Sequence, residues 1–141
     1  MAELRGKFAD AEDVVCTMLE RIAPTATRAT DPLPERLILV QRVGGPNNEH
    51  TDFPVIEVSV LASMTATQTA PREVAWDLAE QCRQVMLAAT RTLWDGALID
   101  SVENVTPVTQ QVDENPDVRR VVATYELEMR RPRPSGDSDT P

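Results

Sequence analysis

Two apolar runs separated by residues 44–53 constrain the fold of this chain more than any other feature. The runs are RLILVQRV, which begins at Arg36, and PVIEVSVLA, which begins at Pro54. Both are rich in β-branched residues, and the second alternates apolar with polar residues, which is typical of a strand with one solvated face. The pattern predicts an antiparallel hairpin. Its connection is about twice the usual length, so it is either flexible or contacts a partner.

Two amphipathic helices flank this hairpin in the sequence. Between residues 9 and 23, apolar residues recur at intervals of three and four, the period of one helix face. Asp10 and Asp13 near the start favour the positive end of that helix. Thr69 is the predicted N-cap of the second helix, Pro71 lies in its first turn, and the helix is expected to continue to about Leu93.

The second helix has a broad apolar face that predicts packing on a sheet. Its members are Val74, Ala75, Leu78, Ala79, Cys82, Val85, Met86, Ala89 and Leu93. Trp76 and Leu87 fall on the opposite side of the helix. The indole either folds over its own helix, or is covered by the linker at residues 24–34, or is buried by another chain.

The remaining strands complete the predicted fold. Residues 97–112 contain scattered valines and Pro107, which indicates a bent or edge strand. From Val121 to Arg130, apolar and polar residues alternate strictly, which is the clearest strand pattern in the chain. The predicted fold is therefore α+β, a four-stranded mainly antiparallel sheet with two helices packed on one face in the order α-β-β-α-β-β. Residues 1–131 form one domain, and residues 132–141 are expected to be a disordered tail.

Composition excludes several classes of function. A formal net charge of −9 disfavours tight binding to nucleic acid. No apolar run is long enough for a membrane span, and the N-terminus lacks the apolar region of a signal peptide, so the protein is expected to stay in the cytoplasm where it is made. Cys16 and Cys82 lie within helical patterns, which favours small buried residues over a disulfide or a reactive thiol.

No catalytic, metal or cofactor motif is visible in the sequence. The single histidine, His50, lies in a polar loop without partners at ligand spacing, so a solvated turn residue is favoured over a general base or metal ligand. The acidic runs near residues 10–13 and 113–117 are better explained as a helix start and a solvated turn than as cation sites. The sequence therefore predicts neither an enzyme nor a cofactor.

The ordered pieces of the chain resemble a known family. LILVQRVGG, TDFPVIEVSVLA, APREVAWDLAEQCRQVMLAA, GALIDSVENVTPV and YELEMRR follow an opening helix. Together, over residues 11–131, they are similar to the tail terminator or minor tail proteins of long-tailed, siphovirus-type bacteriophages. Thirteen arginines against the single Lys7 agree with an actinobacterial host.

The resemblance implies a structural virion protein at the head-proximal end of the tail. It would form a homo-oligomeric ring, usually a hexamer, that caps the tail tube and meets the head-tail connector. DNA would pass through the channel without specific binding, and the net negative charge suits such passage.

The long hairpin connection would then contact neighbouring subunits and the tube. Its candidate contact residues, together with the pair on the second helix, are Gly44, Gly45, Asn47, Asn48, Glu49, His50, Asp52, Trp76 and Leu87. Two alternatives stay open: another connector or completion protein of the head-to-tail neck, and a cellular ligand-binding α+β module, which would need an apolar pocket with convergent polar groups.

Overall fold

The structure, a computed structural model, describes residues 8–94 and 96–131. Two helices lie among these residues, α1 at Ala11–Leu19 and α2 at Pro71–Ala88. The strands are β1 Thr25–Ala26, β2 Arg36–Gly44, β3 Thr51–Asp52, β4 Val55–Ser63, β5 Thr92–Trp94, β6 Ala97–Gln111 and β7 Val118–Arg130.

The strands form one mixed sheet in the order β1-β2-β4-β7-β6-β5. β1 runs parallel to β2, and the other neighbouring strands are antiparallel. The short β3 lies in line with β4 and pairs with the last two residues of β7. β7 is therefore the only described strand that is bonded to three others.

The α+β class is confirmed, whereas the four-stranded sheet and the order α-β-β-α-β-β are wrong. The four predicted strands are the long ones, and β1, β3 and β5 are additional. These three are only two or three residues long, which is too short to show an alternating pattern. The parallel pairing of β1 with β2 makes the sheet mixed, whereas the pairings among the four long strands are all antiparallel.

The main core lies between the two helices and one face of the sheet. Ile38, Val60 and Val121 occupy one rung across β2, β4 and β7, and all three are fully buried. The same face of β7 contributes Tyr125 and Leu127, so the predicted alternation in this strand is confirmed. From α1 the core receives Val14, Val15, Met18 and Leu19, and from α2 it receives Ala75, Leu78, Ala79, Cys82 and Met86.

The second face of β4 is less solvated than the alternation predicted. Ser59 and Leu61 are 1% and 4% exposed. Leu61 belongs to a smaller apolar cluster with Leu37 and Val118, and Leu33 from the linker packs against that cluster. The linker thus covers part of the outer face, an arrangement that local alternation cannot reveal.

Both helices end earlier than their patterns predicted, and α2 begins without its predicted cap. Asp10 caps α1, since its carboxylate accepts a bond from the Glu12 amide at 2.9 Å. The N-cap of α2 is Ala70 rather than Thr69 and makes no side-chain bond. Helix α2 ends at Ala88, so Leu93 lies in β5 and is 67% exposed rather than in the core.

The end of α2 is explained by a tight hairpin that follows it. Arg91 adopts a positive φ of 64°, and its amide bonds the Ile99 carbonyl at 2.7 Å. β5 then pairs with the start of β6 around the sequence Asp95-Gly96, where Gly96 has φ 78°. Asp-Gly between two apolar runs is a strong hairpin signal that overrides the helical period.

Three further sequence expectations concern the C-terminal tail, the two cysteines and membrane crossing. The predicted disordered tail, residues 132–141, lies outside the described residues. Cys16 and Cys82 are free thiols, and only Cys82 is fully buried. Neither α1 nor α2 has the length and hydrophobicity needed to cross a membrane.

Two leucines provide a matched test of this architecture. Leu127→Ala removes a fully buried side chain of β7 and should lower the free energy of unfolding by about 2–5 kcal/mol. Leu93→Ala, at a 67% exposed position, should change it by less than about 0.5 kcal/mol. Urea unfolding followed by circular dichroism measures both values, and equal losses would contradict the early end of α2.

Candidate functional site

The long connection between β2 and β4 is an ordered extension of the hairpin. We call residues 44–53 the hairpin arm. Phe53 N–H donates to the Pro46 carbonyl and Asn48 N–H donates to the Thr51 carbonyl, both at 2.9 Å. Within the arm, Asn47 and Asp52 form an isolated antiparallel β-bridge. The connection is therefore ordered, and of the two explanations for its length the flexible loop is excluded.

A side-chain turn closes the tip of the arm. The Asn48 side-chain oxygen accepts bonds from the amides of His50 and Thr51, each at 2.8 Å. Asn readily makes such turns because its short side chain reaches the backbone two or three residues ahead. Beside the tip, Arg131 Nη2 donates to the Glu49 carbonyl at 2.8 Å. The tip is thus held both by its own turn and by the residue that follows the last strand.

A bidentate ion pair holds the base of the arm. Arg42 Nη1 and Nη2 donate to the two carboxylate oxygens of Asp52 at 2.8 and 2.7 Å. The Asp52 side chain is 2% exposed and that of Arg42 is 31% exposed. Removal of either partner would cost about 2–5 kcal/mol, with the lower part of the range applying because Arg42 still contacts solvent.

Arg42 also fixes the bend that leads into the arm. Its Nε donates to the Gly44 carbonyl at 3.2 Å and its Nη2 to the Gly45 carbonyl at 3.0 Å. The backbone amide of Arg42 donates to Glu12 Oε2 of α1 at 2.9 Å. A single residue therefore connects the arm, the end of β2 and the first helix.

The two glycines at the start of the arm have different roles. Gly45 has φ +100°, and a Cβ there would lie 2.0 Å from the Phe53 carbonyl oxygen. A Cβ at Gly44 would meet no atom within 4 Å. Only Gly45 is required by the close approach of the two sides of the arm.

The candidate contact residues of the arm differ in their exposure to solvent. Asn47, Asn48, Glu49 and His50 are exposed. Asp52 is buried, and Arg42 occupies its carboxylate. The tip residues therefore form the exposed surface of the arm, whereas Asp52 stabilises the arm through its ion pair with Arg42.

The second predicted contact pair, Trp76 and Leu87, is half-buried rather than fully exposed. The Trp76 indole packs at the margin of the core, and its Nε1 donates to Gln110 Oε1 of β6 at 3.4 Å. The indole is thus covered in part by β6, which the sequence analysis did not consider. It lies apart from the arm in the fold, because Gln110 is at the far end of β6 from the residues that pair with Arg130.

The described residues offer little for catalysis. His50 lies 3.9 Å from Glu49, and both side chains are exposed. In the part of the chain that the structure describes, no group of three or more His, Cys, Asp or Glu could hold a metal ion. A shallow groove of about 230 Å³ lies beside the β6–β7 turn, and its lining is mostly polar, with Gln110, Asp113, Asn115 and Arg119 among its residues.

Sequence reasoning found the arm and named Asp52 as a contact residue, but it missed the other side chains that hold the arm. Arg42 was assigned only to a strand, Glu12 to a helix start, and Arg131 to the end of a strand. The one available signal was a lone Arg and a lone Asp on the two sides of a predicted hairpin, which can face each other across it. Glu12 and Arg131 approach the arm only through the tertiary fold.

Comparisons with known proteins agree with this architecture. A chain from the "Virion of native gene transfer agent (GTA) particle" has a TM-score of 0.51, with 14% sequence identity over 86% of this chain and 87% of that chain. At this identity the likeness shows a shared fold. A search of curated proteins gives no match.

The family profile is more decisive, because it is a match of sequence and covers nearly the whole chain. The profile described as "Phage tail termination protein" matches residues 7–135. This range contains both helices, every described strand and the hairpin arm. The chain belongs to the phage tail termination protein family.

Proposed function

We propose that the protein closes into a ring of about six subunits that caps the end of the tail tube and joins it to the head connector in a long-tailed phage of an actinobacterial host. Family membership supports a tail structural protein, and the shared fold with a virion chain agrees with it. The ring, its stoichiometry and its neighbours are the proposal. Closed rings arise when unlike surfaces of identical subunits meet with a rotation that closes.

The observation that carries the proposal is the hairpin arm. Its exposed tip takes no part in the main core, yet an ion pair, a side-chain turn and a bond from Arg131 hold it in one conformation. Ordering of a loop costs conformational entropy, and a pre-ordered loop avoids that cost when it binds. The arm is therefore suited to contact another virion protein as a rigid projection.

The net charge fits a ring around DNA. The sheet face away from the helices carries Glu57, Glu126 and Glu128, and Glu126 lies directly opposite Glu103 of β6. Carboxylates repel a phosphate backbone, so DNA would move past them without adhering. Another connector or completion protein of the neck would share these features, and the tests below separate it by its neighbours.

The mass of the assembled protein should reveal the ring. At high concentration, or when mixed with purified tail tubes, the protein should give a closed oligomer of about six subunits by native mass spectrometry and cap one tube end by electron microscopy. A protein that stays monomeric at every concentration and does not bind tubes would refute the proposal. A ring that binds connectors but not tubes would favour the neck alternative.

Side chains at the tip can be removed without disturbing the arm. The triple variant Asn47→Ala, Glu49→Ala, His50→Ala changes only exposed side chains and keeps both Asn48 and the Glu49 carbonyl. We expect a melting temperature within about 2 °C of wild type, as for ordinary surface substitutions. Production of infectious particles in a complementation assay should fall at least tenfold, and normal titres would exclude the tip as a contact.

Alanine variants of the two glycines form a matched pair that tests whether the conformation of the arm matters for assembly. Gly45→Ala places a Cβ against the Phe53 carbonyl in a positive-φ position and should cost at least about 1–2 kcal/mol. Gly44→Ala meets no atom and should be close to neutral. Complementation should fail for Gly45→Ala and succeed for Gly44→Ala at a temperature where both variants are folded. Equal complementation would show that the pose of the arm is unimportant.

A further inference from the structure

An aromatic contact holds the arginine that binds the tip of the arm. The Arg131 guanidinium carbon lies over the Phe8 ring, 4.9 Å from its centroid, and Arg131 Nη2 donates to the Glu49 carbonyl at 2.8 Å. Both Phe8 and Arg131 are half-buried. The ring attracts the cation and, because the guanidinium is planar, stacking also fixes the direction of its donors. Phe8 thus orients the side chain that binds the tip.

This orientation matters because an arginine side chain has many rotamers. Ordering a free arginine costs rotamer entropy, which offsets much of the energy of one hydrogen bond to a carbonyl. When Phe8 already holds the guanidinium, the bond to Glu49 forms without that cost. Backbone pairing of β3 with β7 holds Thr51 and Asp52, and the tip lies beyond that pairing. The orientation of the tip therefore depends on the stacked arginine.

The start of the same helix also holds the base of the arm. Glu12, in the first turn of α1, accepts the bond from the Arg42 amide at 2.9 Å. The Asp10 carboxylate caps this turn by accepting from the Glu12 amide, so the cap fixes the backbone from which Glu12 extends. Phe8 lies two residues before the cap. We call residues 8–12 the brace, since they reach both ends of the arm.

The brace has a rigid support in the main core. Ala9, inside the brace, packs against that core. The helix that follows contributes four fully buried residues, Val14, Val15, Met18 and Leu19. Protein interiors are close-packed and resist deformation, so the start of α1 is a fixed reference for the exposed arm.

We propose that the brace sets the orientation of the hairpin arm, and that Phe8 and Asp10 are positioning residues that act through Arg131 and Glu12. The arm is a part of the β2–β4 hairpin in sequence, yet its orientation follows the start of α1. An arm tied at both ends to one helix turn reaches a partner already oriented, which lowers the entropic cost of docking. This inference rests on the proposed function, because it explains how the proposed contact is held.

Amide exchange at the tip, followed by NMR on the unassembled subunit, measures this coupling. The amides of His50 and Thr51 bond the Asn48 side chain, so local opening of the tip exposes them to exchange. Phe8→Leu keeps an apolar side chain and removes the ring. Both amides should then exchange about two- to fivefold faster, the loss expected for one cation–π contact near the surface.

Two further variants show whether the effect follows the proposed route. In an Arg131→Gln background, Phe8→Leu should cause no additional acceleration, since the ring acts through the guanidinium. Asp10→Ala removes the cap of α1 and should accelerate tip exchange about two- to tenfold through the loosened helix start.

Ile38→Val is the matched control for a general loss of stability. Ile38 is fully buried beside β1, and its truncation lowers the stability of the whole protein by an amount similar to loss of the cap. Tip exchange should stay at the wild-type rate in this variant, because opening of the tip does not require global unfolding. Equal acceleration in Ile38→Val and Asp10→Ala would overturn the inference.

Complementation separates this inference from the proposed function. Phe8→Leu should lower the titre of infectious particles at a temperature at which the variant is folded. Faster tip exchange with a normal titre would support the brace and count against the arm as a contact. Unchanged tip exchange in Phe8→Leu would overturn the brace, and a ring that still formed would leave the proposed function standing.

Discussion

The pairing of β7 along both of its edges is the constraint on which the rest of the structure depends. β4 lies along one edge and β6 along the other, while the helix-facing side chains from Val121 to Met129 fill the core beneath both helices. The last two paired residues of β7 also bind β3, which carries one side of the hairpin arm. The position of the arm is therefore set by the same strand that organises the core.

Arg42 connects the core strands and the first helix to the exposed arm. It extends from the end of β2, bonds Asp52 and the carbonyls of Gly44 and Gly45, and gives its amide to Glu12 of α1. Buried ion pairs contribute little net stability, because desolvation offsets much of their attraction. They do fix geometry, since any other conformation would leave a buried carboxylate without its partner. Such an interaction suits a segment whose function depends on its pose.

The subunit is also asymmetric from side to side, and the asymmetry has a physical use. The β2 side is closed by β1 and by Glu12, whereas the β6 side is open and presents apolar residues. A subunit with two equally open edges would add to others without limit or register. The two sides of the sheet are therefore unlike, and a contact between unlike sides of identical subunits is head-to-tail.

The sequence by itself determined the two helices, the four long strands, the face of β7 that enters the core and the existence of an unusual hairpin connection. These features rest on local periodicity and turn residues, which act over a few neighbouring positions. Only the tertiary structure decided that the connection is an ordered arm, because Glu12 of the first helix and Arg131 after the last strand join Arg42 and Asp52 of the hairpin there. It also decided the short strands β1 and β3 and the partial cover of Trp76 by β6. Such contacts depend on where whole elements pack, and residue order along one strand or helix carries no record of that.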